Sequence, residues 1–305
     1  MTTRPSGVQH EIRHGDQVAV VTEVGATLRT YAVAGRPVVD GFAAHEMAHG
    51  CRGQVLAPWP NRVRDGAWSW DGADLQLALT EPHRNNAMHG LVRWVPWDLA
   101  ERGDAWVSLT TTVWPQDGYP FAVGLRAAYR LGDGGLEVSL TARNAGDRPA
   151  PYGAGFHGYA TALTELVDDT ALTVPAATRI TTDERLNPVG TEPVAGTAYD
   201  FTRSRPVGDL VLDDAFTDLA RGKDGRVTVT LASPSGAHGT NVWGGPATHY
   251  LQVFSGDSLP DPRHRRRSLA VEPMTCPADA FVSGEGLVVL QPGEEHEITW
   301  GMQAW

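Results

Sequence analysis

A chain of 305 residues with 41% hydrophobic and 20% charged residues has ordinary globular composition, which excludes wholesale disorder. Its formal net charge of −11 argues against a nucleic-acid partner, which would want a basic face. The length suffices for a large core, and β domains often reach this size, so residues 1–305 read as a single domain.

The first segment, "MTTRPSGVQHEIRHGD", has no apolar core and no cleavage-like site, so no signal peptide is expected. Strand signals follow in chain order: "QVAVVTEV" at 17–24, "WVSLTTTVW" at 106–114, "LEVSLTARN" at 136–144, "VTVTLASP" at 227–234 and "GLVVLQPGEEHEITW" at 286–300. Each is rich in Val, Thr and aromatics and partly alternating. Turn markers separate them: "DGA" at 65–67 and 71–73, "GDGG" at 132–135, "KDG" at 223–225 and "PSG" at 234–236. The 34 glycines and 21 prolines suit many turns and few long helices. With no linker and no internal repeat, the expectation is an all-β sandwich or barrel. No apolar run is long enough to span a bilayer, so no membrane partner is expected. Cys51 and Cys276 are the only cysteines; they read as free thiols of a cytoplasmic protein.

Polar clusters interrupt the strands. "LAPWPNRVRDGAW" holds Asn61 and Arg62, "RNNAMHGLVRW" holds His89 and Arg93, "PYGAGFHGYA" holds His157, and "LDDAF" holds Asp213 and Asp214. The last is "SLAVEPMTCPADAF", where Glu272 ends an apolar run directly before Pro273. A carboxylate taken from water is costly, so Glu272 is either half of an ion pair or a working acid or base. Taken singly, these residues also fit turn chemistry and hydrogen-bonded loop histidines. "HEMAH", His45 to His49, matches a zinc-protease pattern that works only on a helix. Squeezed between Gly41 and Gly50, it is too short for one, and no metal site is expected. "RHRRR" at 263–267 reads as a solvated loop or as partners for nearby carboxylates.

Taken together and in order, "PWPNRVRDG", "NNAMHGLVRW", "PYGAGFHGY", "LDDAF" and "LAVEPMTCPADAF" resemble the aldose 1-epimerase (galactose mutarotase) family, over roughly residues 20 to 303. The resemblance implies a large antiparallel β-sandwich, the galactose mutarotase-like supersandwich. It implies interconversion of the α and β anomers of a free aldose, with no metal or organic cofactor and a small sugar as partner. By the same resemblance Glu272 is the catalytic base and His157 the catalytic acid, while Arg62, His89 and Asp213 position the sugar. Asp213 is the better positional match, with Asp214 the alternative.

The chemistry suits those residue types. Opening a cyclic hemiacetal takes a proton from the C1 hydroxyl and delivers one to the ring oxygen. A carboxylate in a partly apolar strand end has raised proton affinity, and a histidine titrates near neutrality. A glycosidase would want two carboxylates, whereas these motifs offer a Glu and a His; a non-catalytic carbohydrate-binding sandwich would need neither.

Three departures stand out. Gly158 and Ala160 replace the proline and second aromatic of the family's usual His-Pro-Tyr-Phe, which is expected to loosen the loop and remove a stacking wall. Asp279 stands where asparagine is common, adding negative charge near Glu272. The expected substrate is a neutral aldohexose. The alternative is an anionic sugar such as sulfoquinovose or a hexose 6-phosphate, held by Arg62, Arg84 and Arg93.

Overall fold

The computed structural model describes residues 4–305. Its longest sheet has nine strands, ordered Asp98–Arg102, Trp106–Val113, Val123–Gly132, Gly135–Asn144, Glu295–Ala304, Gly239–Gly244, Val227–Ala232, Ala171–Thr173 and Arg205–Pro206. The pattern that builds it is visible in its centre. Val123, Leu125, Ala127, Tyr129 and Leu131 are buried while the residues between them are not. Leu136, Val138, Leu140 and Ala142 repeat that period of two on the next strand. Gly132 pairs with Gly135, so Asp133–Gly134 closes a two-residue hairpin, and Gly135 takes the φ of 96° that a residue with a Cβ resists.

A second large sheet carries the site. Its order is Pro188–Pro193, Ala176–Thr182, Asp213–Leu219, Tyr250–Phe254, Leu269–Met274, Gly155–Phe156 and Val55–Leu56, with Gly158–Ala160 also paired to Leu269–Met274. A four-stranded sheet from Gln9–His14 to Arg36–Pro37 stands beside them. The ladders between named strands are antiparallel, as the sequence predicts for this fold class. One apolar cluster runs from Ile12 to Met302. No helix among the described residues is long and apolar enough to cross a membrane.

Leu269–Met274 is buried at all six positions, so both its faces are covered. Leu269 and Val271 enter the main core. Ala270, Glu272 and Met274 therefore point the other way. Register carries that face sideways. Glu272 lies opposite Gln252, and Ala270 opposite Phe254, which lies opposite Asp213.

One sequence expectation changes in detail. "GLVVLQPGEEHEITW" is two strands, Val288–Leu290 and Glu295–Ala304, because Pro292 and Gly293 (φ 80°) break the ladder between them. "HEMAH" forms no helix, as its confinement between Gly41 and Gly50 implies: its last residue opens a 3₁₀ turn, His49–Cys51.

Candidate active site

The face bearing Glu272 forms the floor of a cavity of about 250 Å³, lined by Cys51, Asn61, Arg62, His89, His157 and Asp213 among others. The five sequence-predicted residues thus come together in one cavity. His157 Nε2 lies 3.3 Å from Glu272 Oε1, and both side chains are buried. His157 precedes the Gly158–Ala160 strand, whose Gly158 pairs with Val271, and that pairing sets the imidazole over the carboxylate. Glu272 Oε2 and His157 Nδ1 are buried without hydrogen-bond partners, a costly arrangement unless a ligand answers it.

A hydrogen-bonded ribbon surrounds this pair. Asn61 Nδ2 donates to Gln252 Oε1 at 3.2 Å, and Gln252 Nε2 donates to Asp213 Oδ1 at 2.7 Å. Arg62 donates through Nε and Nη2 to both oxygens of Glu81, at 2.8 and 3.0 Å, with its Nη2 4.0 Å from Asp213. The Asn61 N–H donates to His89 Nδ1 at 3.0 Å, and His89 N–H returns a bond to Asn61 O. Asn61, His89 and Cys51 all hold left-handed backbones, φ 55°, 62° and 62°. Such strain is stored where side chains must be aimed, at a cost of about 1 kcal/mol or more each.

Behind His157, two residues on and therefore on the same strand face, the Tyr159 ring stacks at 5.1 Å and 17°. Arg52 lies over that ring at 4.3 Å and pairs with Asp40 at 2.9 Å. Ala160 belongs to the main apolar core, one position off the strand face that carries His157 and Tyr159, so an aromatic there would not wall the cavity and the expected loss of a stacking wall does not occur. Nor does Gly158 loosen the loop. The segment is buried and paired, and a Cβ at Gly158 would meet Phe156 and Met302 at 2.6 Å.

Electrostatics divides the groups. Burial, with Asp213 nearby, pushes Glu272 well above the usual carboxylate range. Burial and the Arg93 and Arg52 charges lower His157 to about 3. His89 is held well below its ordinary value by burial and by His157. Asp213 is raised by burial against the pull of Arg62. The linkage signs differ. The histidines contribute stability that is present above about pH 6.5 and lost as pH falls toward their depressed folded values, at most about 1.4 kcal/mol per pH unit each. Glu272 contributes stability that is present below about pH 4.5 and lost as pH rises through its raised folded value. On the acid side the lowered histidines, His157 and His89 with His10, His249 and His296, outweigh the raised carboxylates, Glu272, Asp213 and Asp214, so acidification from about pH 6.5 to 4.5 is expected to lower Tm. Thermal melts across that range should show a shallower fall in His157→Gln than in wild type; equal slopes would refute the assignment of the buried neutral histidine.

Cys51, His89 and His157 place possible metal-ligand atoms within 4.8 Å of one another. The donor set does not suit an ion. His89 Nδ1 accepts the Asn61 N–H, so the neutral ring carries its proton on Nε2 and offers the cavity a donor rather than a lone pair. Burial raises the Cys51 thiol, and its sulfur accepts from Arg93 Nη1 at 3.0 Å. His89 lines the cavity, where an Nε2–H donor suits a sugar oxygen.

Other expected positions fall differently. Asp214 pairs with Arg179 at 2.6 Å, outside the cavity lining. Arg93 turns its guanidinium to His89 O, Met88 O and Cys51, which removes it from the candidates for a sugar anion. Asp279 accepts the Arg64 N–H at 2.8 Å and lies 3.6 Å from the Arg64 side chain, so its charge is spent holding the Arg62–Arg64 strand. Within "RHRRR", Arg263 pairs with Asp261, and Arg266 with Asp168 and Asp257, as partners for carboxylates. The sequence reading did not single out Glu81, Gln252 or Tyr159. Gln252 alone left a signal, a polar residue inside an apolar strand run like that around Glu272.

Comparison with known proteins agrees with this geometry. The family model described as aldose 1-epimerase matches residues 9–303. The Escherichia coli K12 protein YihR is 32% identical over 297 residues, covering 96% of this chain and 92% of its own length. A maltose epimerase from Levilactobacillus brevis is 26% identical over a 324-residue alignment, covering 94% and 92%. Among solved structures, the galactose 1-epimerase of Lactobacillus acidophilus superposes with a TM-score of 0.80 at 22% identity, covering 97% of this chain and 95% of that one. The C. elegans GalM/aldose epimerase homologue gives 0.84 at 18%, covering 97% and 98%. With nearly its whole length matched, the chain belongs to the aldose 1-epimerase family of isomerases.

Proposed function

We propose that the protein interconverts the α and β anomers of a free neutral aldohexose, with Glu272 as base and His157 as acid. The observation that carries this reading is the buried pair, Nε2 to Oε1 3.3 Å, on the wall of a sugar-sized cavity. Between them the two groups need one proton. To open the ring, ionised Glu272 takes the O1 proton, protonated His157 gives its proton to the ring oxygen, and the C1–O5 bond breaks to the aldehyde. The result is neutral Glu272 and neutral His157, the state that burial favours for both. Burial thus stabilises the open-chain complex, while the charged pair that opening starts from is formed from the neutral one by proton transfer from Glu272 to His157 across the 3.3 Å contact. Rotation about C1–C2 presents the other carbonyl face, and closure runs the same transfers backward.

Arg62, His89 and Asp213 hold the sugar in this reading. His89 offers its Nε2–H, and Asp213 keeps Oδ2 free of Gln252. A neutral sugar is favoured because Arg62 is already matched by Glu81 and Asp213, and Arg93 is turned away. The cavity volume, about 250 Å³, falls just below the usual range for ligand pockets, about 300–1,000 Å³, which favours one ring over the disaccharide named for the L. brevis relative. Arg84 and His83 at the mouth favour the second reading, an anionic sugar.

Anomer-exchange NMR on glucose, galactose, glucose 6-phosphate and sulfoquinovose at equal concentration separates the readings. The expected result is faster exchange for a neutral hexose. A large preference for an anionic sugar, lost in Arg84→Ala, would replace the substrate and keep the mechanism. Binding without faster exchange of any sugar would leave only a carbohydrate-binding sandwich.

A further inference from the structure

Glu81 sits under the rim of the cavity with its carboxylate almost wholly buried. Both its oxygens are occupied. Oε1 accepts from Arg62 Nη2 at 3.0 Å and Arg84 Nη1 at 2.8 Å; Oε2 accepts from Arg62 Nε at 2.8 Å and Asn86 Nδ2 at 3.3 Å. That leaves it little capacity for a sugar hydroxyl. Its own position is fixed from below. It bridges to Asn86 across the turn Pro82–Arg84, and Arg185 clamps that turn through Arg84 O at 2.8 Å and Asn85 O at 3.0 Å.

Arg62 is the group so held. A guanidinium has five N–H donors in a rigid fork. Two of Arg62's go to Glu81 and one to Asn61 Oδ1 at 3.3 Å. One donor on Nη1 and one on Nη2 remain, on the side of the fork away from Glu81. The bidentate contact fixes the guanidinium plane, and the plane decides where those two donors point.

We propose that Glu81 is a positioning residue for the mutarotase reaction, acting through Arg62 by clamping the guanidinium so that its remaining donors face the sugar. The proposal rests on the reading of Arg62 as a sugar-holding residue. Retained charge at Arg62 accompanies this: burial alone would raise the Glu81 carboxyl, but the two guanidiniums outweigh it and hold Glu81 below the usual range.

A double-mutant cycle tests the proposal. Glu81→Gln keeps size and leaves one acceptor oxygen, so it breaks the fork. Loss of a charge-assisted bidentate contact corresponds to about 10–100-fold in kcat/KM, expected mainly in KM. In the Arg62→Ala background the same substitution should cost less than about twofold, because its route of action is gone. Equal losses in both backgrounds would overturn the proposal and leave Glu81 a merely structural residue. The NMR signal of the Arg62 Nε–H gives a readout that needs no activity. It should be slow to exchange in wild type and fast in Glu81→Gln; an unchanged signal refutes the clamp even if the protein turns over no sugar. Should Glu81→Gln not fold, Glu81→Asp serves in both measurements, since it keeps the buried charge but withdraws it by one methylene. The same two outcomes then decide.

Discussion

Glu272→Gln is expected to lower kcat for the best sugar by about 10²–10⁴-fold, the usual contribution of a positioned general base, with little change in KM. The amide has the shape of the carboxylate but accepts no proton at neutral pH. Its oxygen still fits beside His157, so the cavity keeps its geometry. The fold should survive, for a reason particular to this site. Glu272 is buried with Oε2 unpartnered and its acid strength is already displaced by burial and Asp213, so ionisation costs the folded state more than neutrality does. Tm at pH 8 is therefore expected to equal or exceed that of wild type. Anomer exchange followed by NMR, alongside thermal melts, reads both quantities. Near-normal turnover in a folded Glu272→Gln would sink the assignment of the base.

What the sequence discloses and what it hides follow from the range of the interactions. The period-two burial of Val123, Leu125, Ala127, Tyr129 and Leu131 is local, and so are the glycine-bearing turns; these yield the all-β reading directly. Glu272 is legible because a charged side chain inside an apolar run has few bland explanations. Asp213 and Asp214 cannot be told apart locally, since adjacent strand residues face opposite ways and only register shows which face holds the cavity. Arg93 lies in a site motif, yet its direction is decided by carbonyls at Met88 and His89 and by Cys51. Glu81 is hidden for a related reason: before a proline it resembles ordinary turn chemistry, and its meaning comes from Arg62, 19 positions earlier. The stack of Arg52, Tyr159 and His157 joins residues more than 100 positions apart, beyond any motif window.

His157→Gln is expected to cost about 10²–10⁴-fold in kcat, and its pH dependence distinguishes an acid from a mere contact. In wild type the Glu272–His157 pair titrates as a unit. It holds its single proton from about pH 3, since burial and the Arg93 and Arg52 charges keep His157 from taking a second one above that, up to the raised value of Glu272. The rate should be level across that interval and fall on either side. Removing the imidazole leaves Glu272 alone, and only its ionised form is a base. The residual rate of His157→Gln should therefore rise with pH through the Glu272 titration. Glu272→Gln leaves only the imidazole, useful as an acid when protonated, so its residual rate should fall as pH rises. Opposite slopes in the two variants are what separated acid and base roles require. Because the pair acts as one unit, the double variant should be little slower than the worse single one. A His157→Gln enzyme that kept the level wild-type profile at reduced rate would show that His157 only holds the sugar, and the acid would have to be sought among the other proton donors on the cavity wall, beginning with His89 Nε2.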